Sequence, residues 1–391
     1  MIAHGGQKIL SARPKRIVLS GPSGFLGSRV LDSILAGHAY RKEENLPPGE
    51  VVLMSSSPGN LMRRLKRRYG RETMATIRAS RVDYYTQHSA STWRDQLGSL
   101  GLRGDDCVFV NLAGVAGPKD GRLDALMDVN YHAVVAASEA AEELGFGHWV
   151  QSSTQATNAE RAGQVPYARA KAMADFALSN MTRLPASIVL LGLLYSKDDG
   201  LIGQQGSDLN LADLSTFPLT PIMGSGSAPL QPLEVTDAAE RLAYLALTEP
   251  SERPIQSFAH TKGNVSHTRT YTLRIYDAVG PEKMSMLEML YAFSRTHSPG
   301  KTFRPVSIDY RNMERMLNVQ SLGNMNRQFV SLLRSEQDAN FPAIGESAVW
   351  EKLLGPDAKL ITLDNAFDPA KGGQVPSRNF PLWQMVKWTY R

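Results

Sequence analysis

RIVLSGPSGFLGSRV, residues 16 to 30, opens with three apolar residues that favour strands, Ile17, Val18 and Leu19. It closes at the start of an apolar-periodic run through Val30, Leu31, Ile34 and Leu35. Between the two lies a glycine-rich turn, Gly21-Pro22-Ser23-Gly24-Phe25-Leu26-Gly27. Strand, tight turn and helix in that order predict the opening of a dinucleotide-binding βαβ unit. Gly21 lets the chain turn, and Gly24 lets the backbone of Ser23, Gly24, Phe25 and Leu26 approach a pyrophosphate. Gly27 lets the helix pack closely on the strand. The phosphates would sit at a helix N-terminus, where unpaired N–H groups and the helix dipole both favour negative charge. The spacing is Gly-x-x-Gly-x-x-Gly, which also describes an ordinary tight turn. The flanking strand and helix patterns favour the nucleotide.

The chain has 391 residues, enough for a large core and a second, smaller lobe. Hydrophobic content of 42% and charged content of 21% are those of a soluble globular protein. No uninterrupted apolar run reaches the roughly eighteen residues of a membrane-spanning helix. The single cysteine, Cys107, rules out an intrachain disulfide and gives no support for a cysteine-built zinc site. It stands in the run Cys107-Val108-Phe109-Val110 and reads as a small core residue. The net charge is +5, and the first acidic residue is Asp32, preceded by Lys8, Arg13, Lys15, Arg16 and Arg29. Such a start suits either an organelle-targeting segment or a disordered tail.

After the first helix, Pro47-Pro48-Gly49 reads as loop and Val51-Val52-Leu53-Met54 as the second strand. An acidic residue at its end would grip the ribose hydroxyls of NAD. This chain has Ser55-Ser56-Ser57 there, followed by Arg63, Arg64, Lys66, Arg67, Arg68 and Arg71. Hydroxyls and guanidinium groups suit a 2′-phosphate, so NADP(H) is expected over NAD(H), with Ser55, Ser56, Arg63 and Arg64 as its contacts. Six basic residues exceed the needs of one phosphate, so part of the run is solvated surface or meets another anion. Interleaved aromatics and known nucleic-acid modules are absent, so no nucleic acid is expected.

Arg78 to Asp83 reads as a third strand, with Asp83 either accepting from an adenine amino group or standing on an exposed loop. The fourth strand, Val108 to Val110, runs into Asn111-Leu112-Ala113-Gly114, whose small residues leave room for ribose and nicotinamide. A helix is expected from Asp128 to Leu144. A fifth strand from His148 runs into Ser152-Ser153-Thr154. Tyr167 and Lys171 in Pro166-Tyr167-Ala168-Arg169-Ala170-Lys171 are spaced i, i+4 and share one helix face. A nearby ammonium would lower the phenol's pKa and ready it for proton exchange at neutral pH. Thr154, at the strand end, is placed to bond the same substrate oxygen.

On Gly21-x-x-Gly24-x-x-Gly27, Asn111-Leu112-Ala113-Gly114, Asn130, Ser153-Thr154 and Tyr167-x-x-x-Lys171, the chain resembles an extended short-chain dehydrogenase/reductase. The resemblance spans about residues 15–250. It implies that Thr154 orients a carbonyl or carbinol oxygen, that Tyr167 is the acid/base, and that Lys171 binds ribose while tuning Tyr167. Asn111, Ala113, Gly114 and Asn130 join the cofactor contacts. The family often has Arg-Pro after the sixth strand; here Val189-Leu190-Leu191 leads to Gly192-Leu193-Leu194-Tyr195. The segment from Phe217 to Ala239 is similar to atypical extended members, among them the nucleotide-binding accessory subunit of respiratory complex I. In that pattern a Gly224-x-Gly226 hairpin precedes Gln231-Pro232, a strand from Leu233 to Val235 and an acidic helix cap, here Asp237.

The expected fold is α/β, a doubly wound parallel sheet of the Rossmann type. Residues 1–14 form a tail, 15–250 the nucleotide-binding domain and 251–391 a smaller mixed lobe, with 197–230 contributing to the cleft. That lobe should hold helices from Met284 to Ser294 and from Met313 to Leu333 and an aromatic tail, Trp350, Phe367, Phe380, Trp383, Trp388 and Tyr390. His260, His267 and His297 carry no metal-ligand spacing, and no metal is expected. Two functions follow. One is an NADP-dependent oxidoreductase or epimerase acting on a small molecule, with Tyr167 moving a proton. The other is a non-catalytic NADPH-holding subunit of a mitochondrial assembly such as complex I, with protein subunits as partners. The basic start and the complex-I-like segment favour the mitochondrial matrix over the cytoplasm as the expected location.

Overall fold

The computed structural model describes residues 15–44, 46–115, 124–157, 165–196, 219–227, 229–248, 273–297 and 302–309, with isolated positions 300, 345, 350, 353, 354, 360 and 362. The tail 1–14, the 197–218 part of the cleft segment, His260, His267, the Met313 to Leu333 helix and the aromatics from Phe367 onward lie outside the described residues.

Seven strands form one all-parallel sheet: β1 (Arg16–Ser20), β2 (Glu50–Ser55), β3 (Ile77–Arg81), β4 (Cys107–Asn111), β5 (His148–Thr154), β6 (Ala186–Leu191) and an edge strand Leu273–Ala278. In space the order is β3-β2-β1-β4-β5-β6 followed by the edge strand. The order reverses between β1 and β4, where Ser20 is in register with Asn111. Such a switch point opens a crevice at the carboxyl ends of the strands. At the other end, Arg16 grips Asp106 with two bonds of 2.6 Å, pinning the start of β1 to the approach to β4. The edge strand comes from beyond residue 250, so the central sheet draws on the stretch expected to belong wholly to the smaller lobe.

Both sheet faces are covered, as the near-continuous apolar strands require. Ile17 and Leu19, Val51 and Leu53, and Val108 and Val110 face one core. Val18, Val52, Met54, Cys107 and Phe109 face the other. The first core is closed by α1 (Phe25–Glu43) and by a late helix, Val235–Leu247, through Val30, Ile34, Leu242 and Ala246. These two helices approach so closely that a Cβ on Gly37 would lie 2.5 Å from Leu247 Cδ1. On the opposite face Phe109 stacks on Trp149 at 4.3 Å, and Trp93 meets Phe109 edge-on. Cys107 is free and buried.

The remaining helices on the way to the site are α2 (Pro58–Arg68), α3 (Arg71–Ala75) and α4 (Ala90–Ser99). The helix expected from Asp128 is built in three parts. A short α5 (Asp124–Met127) passes through a π-helical turn, Asp128–His132, into α6 (Ala133–Glu143). Next comes α7 (Pro166–Ser179), with proline at its first turn. Val235–Leu247 is α8 and Met286–His297 is α9.

Beyond the main sheet, β7 (Leu194–Tyr195) pairs with β10 (Leu233–Glu234), β8 (Thr220–Met223) with β13 (Pro305–Ile308), and β9 (Pro229–Leu230) with β12 (Met284–Ser285); the edge strand of the main sheet is β11. Gly224 and Gly226 do form a turn with positive φ. It is not a hairpin, because the strands on either side of it pair elsewhere. Nor does Asp237 cap α8. Glu234 is the N-cap, its carboxylate accepting from Thr236 N–H at 2.6 Å, and Asp237 lies in the first turn. After β6, where Arg-Pro is absent, a Cβ on Gly192 would stand 2.8 Å from the Gln231 carbonyl.

Candidate functional site

The glycine turn closes on itself and on β4. Gly21 has φ +64°, and a Cβ there would lie 2.8 Å from the Leu112 carbonyl. A Cβ on Gly27 would lie 2.0 Å from the Gly21 carbonyl, so the protein itself demands both glycines. Gly24 differs: it is exposed, and its nearest neighbour would be 3.4 Å away. The room at Gly24 therefore faces outward, where a ligand would come. Gly24 is also the N-cap of α1, with no side-chain cap bond and no acidic residue in the first turn. The Gly24 N–H is bonded to the Gly21 carbonyl at 3.1 Å, and an uncapped helix start of this kind is where amides of the first turn can meet an anion. Arg29 lies over the Phe25 ring at 5.0 Å, adding a positive charge beside that turn.

Ser20, which the sequence reading passed over, joins the turn to the β4 loop. Its hydroxyl donates to Asn111 Oδ1 at 2.6 Å and accepts from the N–H groups of Leu112 and Ala113 at 3.0 and 3.1 Å. Its only local signal is a serine ending an apolar strand.

At the end of β2, Ser55 is buried and its Oγ accepts from Ser57 N–H at 3.2 Å, while Ser56 is exposed. The first turn of α2 carries no acid. Arg63 bonds Asn60, which turns its guanidinium back toward the α2 N-terminus. Arg64 is exposed on the same helix. Arg68 is committed elsewhere, bonded with Tyr69 to Asp32 of α1. The basic run thus divides into structural and available members. Asp83 is exposed and accepts from Tyr85 N–H at 3.0 Å, a turn-forming role. Beside it Tyr84, also missed from sequence, donates to the Met54 carbonyl at 3.0 Å and lies near Ser20 and Gly21.

The β4 loop forms the wall between this cradle and α7. Asn130, fully buried in the π turn, donates to the Val115 carbonyl at 2.8 Å and accepts from Val115 N–H at 3.1 Å. A Cβ on Gly114 would meet Asn130 Oδ1 at 3.1 Å and Lys171 Nζ at 3.3 Å. Gly114, Asn130 and Lys171 therefore lie together. Lys171 is buried and donates to the Ser152 carbonyl at 3.1 Å. Ser152 in turn donates to the Asn111 carbonyl at 3.0 Å.

Tyr167 packs against Ala156, Val165 and Ala168, close to the end of β5. Its phenol does not titrate low. Burial first and the Asp175 carboxylate second push it up to about 12, and the Lys171 ammonium is turned to the Ser152 carbonyl. The expected lowering by Lys171 is absent in this arrangement. Thr154 Oγ1 accepts from Ala156 N–H at 3.3 Å. Gln155, next in sequence, donates to Asp277 Oδ1 at 2.8 Å and to the Leu190 carbonyl at 3.1 Å, linking the strand ends to β11. No group of metal-ligating side chains occurs among the described residues. No helix among them is long and apolar enough to cross a membrane.

No family model matches the chain, and neither does any curated protein. Solved structures do match in fold. A UDP-N-acetylglucosamine 4-epimerase from Bacillus cereus is 14% identical over 94% of this chain and 99% of that one, with a TM-score of 0.55. A UDP-glucuronic acid 4-epimerase from Bacillus cereus, in complex with UDP-glucuronic acid and NAD, is 14% identical over 75% of this chain and 86% of that one, with a TM-score of 0.51. A thiolation-reductase di-domain from an archaeal non-ribosomal peptide synthetase is 16% identical over 92% of this chain and 76% of that one, with a TM-score of 0.57. With its all-parallel sheet, glycine turn and β4 loop, this chain has the fold of the NAD-dependent epimerases and dehydratases, the extended short-chain dehydrogenases/reductases.

Proposed function

We propose that the protein is an NADP(H)-dependent oxidoreductase or epimerase acting on a small molecule that carries a secondary alcohol or a carbonyl. One observation carries the reading. The β4 loop is held from one side by Ser20, at the end of β1 beside the glycine turn, and met from the other by Asn130 and Lys171. A dinucleotide cradle and a Tyr-Lys helix thus share a single wall.

The residues present fit the cofactor. Gly24 leaves the space a pyrophosphate needs, the uncapped α1 N-terminus supplies donors, and the missing side chain of Gly114 lets the β4 loop pass beside the buried Lys171, which would hold the ribose. Ser56 and Arg63 stand where a 2′-phosphate would come, with no carboxylate in the first turn of α2 to repel it. Bound there, the nicotinamide supplies or takes up hydride at a substrate carbon. The chain's own part is the proton: Tyr167 donates to the substrate oxygen in reduction and accepts from it in oxidation, with the Thr154 hydroxyl orienting that oxygen. Lys171 holds the ribose. The Tyr167 phenol, pushed up to about 12 by burial and Asp175, is protonated at neutral pH as an ordinary phenol is, the form that donation in reduction requires. The UDP-sugar epimerase among the fold neighbours, solved with UDP-glucuronic acid, supports a cleft that takes a small polar substrate.

Titration calorimetry with NADPH, NADP+, NADH and NAD+ tests the reading. Tighter binding of the phosphorylated pair supports it; no binding of any of the four refutes it.

A further inference from the structure

Tyr167, Lys171 and Asp175 fall at i, i+4 and i+8 of α7 and line one face of that helix. Two successive turns grip two successive residues of β5. Lys171 Nζ donates to the Ser152 carbonyl, and Asp175 Oδ2 accepts from Ser153 Oγ at 2.5 Å. The second oxygen of Asp175, Oδ1, has essentially no accessible surface and no hydrogen-bond partner among the described residues. A buried carboxylate oxygen without a donor is costly, and a nearby positive charge is what offsets that cost. Among the described residues, the positive charge acting on Asp175 is Lys171, one turn away, and Asp175 is the negative charge acting on Lys171.

We propose that Asp175 is a positioning residue of this site: it supplies the counter-charge that keeps the buried Lys171 an ammonium, and through Ser153 it ties α7 to the strand end that presents Thr154. The proposal rests on the reading of Lys171 as the ribose-binding residue. Desolvation lowers Lys171 to about 8 while Asp175 holds it up; desolvation raises Asp175 to about 6 while Ser153 and Lys171 hold it down. Both are charged together only between those values. Among the described residues, the titratable groups facing one another here, Tyr167, Lys171 and Asp175, all belong to α7. β5 contributes the Ser152 carbonyl and the Ser153 hydroxyl, and the π turn contributes the neutral Asn130 amide.

The test is the titration of Lys171 in the full chain, followed by NMR with lysine labelled at Cε and the resonance assigned by its loss in Lys171→Arg. In the wild type the resonance should titrate near pH 8 and show a smaller inflection near pH 6 as Asp175 gains its proton. Asp175→Asn should lower the Lys171 midpoint by about one pH unit or more, and Asp175→Glu should restore it. NADPH binding, followed by its fluorescence, should lose its alkaline limb at correspondingly lower pH in Asp175→Asn. A merely structural role would weaken binding equally at every pH. A wild-type resonance with no inflection near pH 6, or a folded Asp175→Asn chain with an unmoved midpoint, overturns the proposal. The wild-type curve needs no variant to fold. The two readings fail separately: a wild type that binds no NADPH sinks the cofactor reading, while the Lys171 curve still decides the charge coupling.

Discussion

A Cβ on Gly27 would stand 2.0 Å from the carbonyl oxygen of Gly21, inside any tolerable contact, whereas one on Gly24 would meet nothing nearer than 3.4 Å. Two glycines of one turn therefore differ: the fold requires Gly27, while it leaves room at Gly24. Gly27→Ala should destabilise the chain by about 3–5 kcal/mol, because helix and turn must separate. Gly24→Ala should leave thermal stability near that of the wild type and weaken NADPH binding at least tenfold. Urea denaturation and calorimetry check both, and equal loss of stability in the two variants would contradict this division.

Cofactor choice should follow Arg63. Its guanidinium bonds Asn60 and is turned toward the α2 N-terminus. A charge-assisted bond to a 2′-phosphate is worth about 1.5–3 kcal/mol, so Arg63→Ala should weaken NADPH by about ten- to a hundredfold. Binding of NADH should not change. An equal loss for both dinucleotides would place Arg63 outside the phosphate site.

Chemistry should follow Tyr167. Tyr167→Phe should cut turnover on any accepted alcohol or carbonyl by roughly a hundredfold or more, since general acid–base catalysis contributes about that. NADPH affinity should stay within about twofold. In cells the same variant separates an enzyme from a cofactor-holding subunit. An enzyme shows the phenotype of a deletion at normal protein abundance. A structural holder shows none with Tyr167→Phe and loses abundance with Gly24→Ala, because its nucleotide acts as a folding ligand.

Acid stability should follow His38. This α1 imidazole is buried, has no hydrogen-bond partner for either ring nitrogen among the described residues, and is held down to about 4 by burial and then by Arg41. Unfolded, it titrates near 6.5. The folded chain therefore binds fewer protons between about pH 4 and 6.5. The stability linked to it is complete above that window and is lost as pH falls through 4, with about 2 kcal/mol already gone at pH 5. His38→Leu should lose less stability than the wild type between pH 7 and pH 5 by about that amount. Urea midpoints at the two pH values measure it, and parallel losses would reject the assignment.

Much of this was open to reading in the sequence. The β1–turn–α1 unit is local, and its apolar runs and glycine spacing state it directly. The i, i+4 spacing of Tyr167 and Lys171 needed only helix geometry. The readings that changed turned on partners far along the chain or on the surroundings of a side chain. Spacing puts an ammonium one turn from the Tyr167 phenol, yet burial, Asp175 and the Ser152 carbonyl decide where the phenol titrates. Asp237 had the right chemistry for a cap, but the backbone of α8 begins two residues earlier, at Val235, and Glu234 takes that place.

By itself the sequence determined a parallel α/β sheet, the place of its glycine turn and the helix that carries Tyr167. Those follow from periodicities of two and of about 3.6 residues, which each segment carries alone. Tertiary structure alone decided what the site is made of between those points. Ser20 reaches Asn111, Leu112 and Ala113 across 91 to 93 residues, and Ser153 reaches Asp175 across 22. A hydroxyl's partner is whatever acceptor or donor folding brings within about 3 Å of it, and no spacing in the chain encodes that distance.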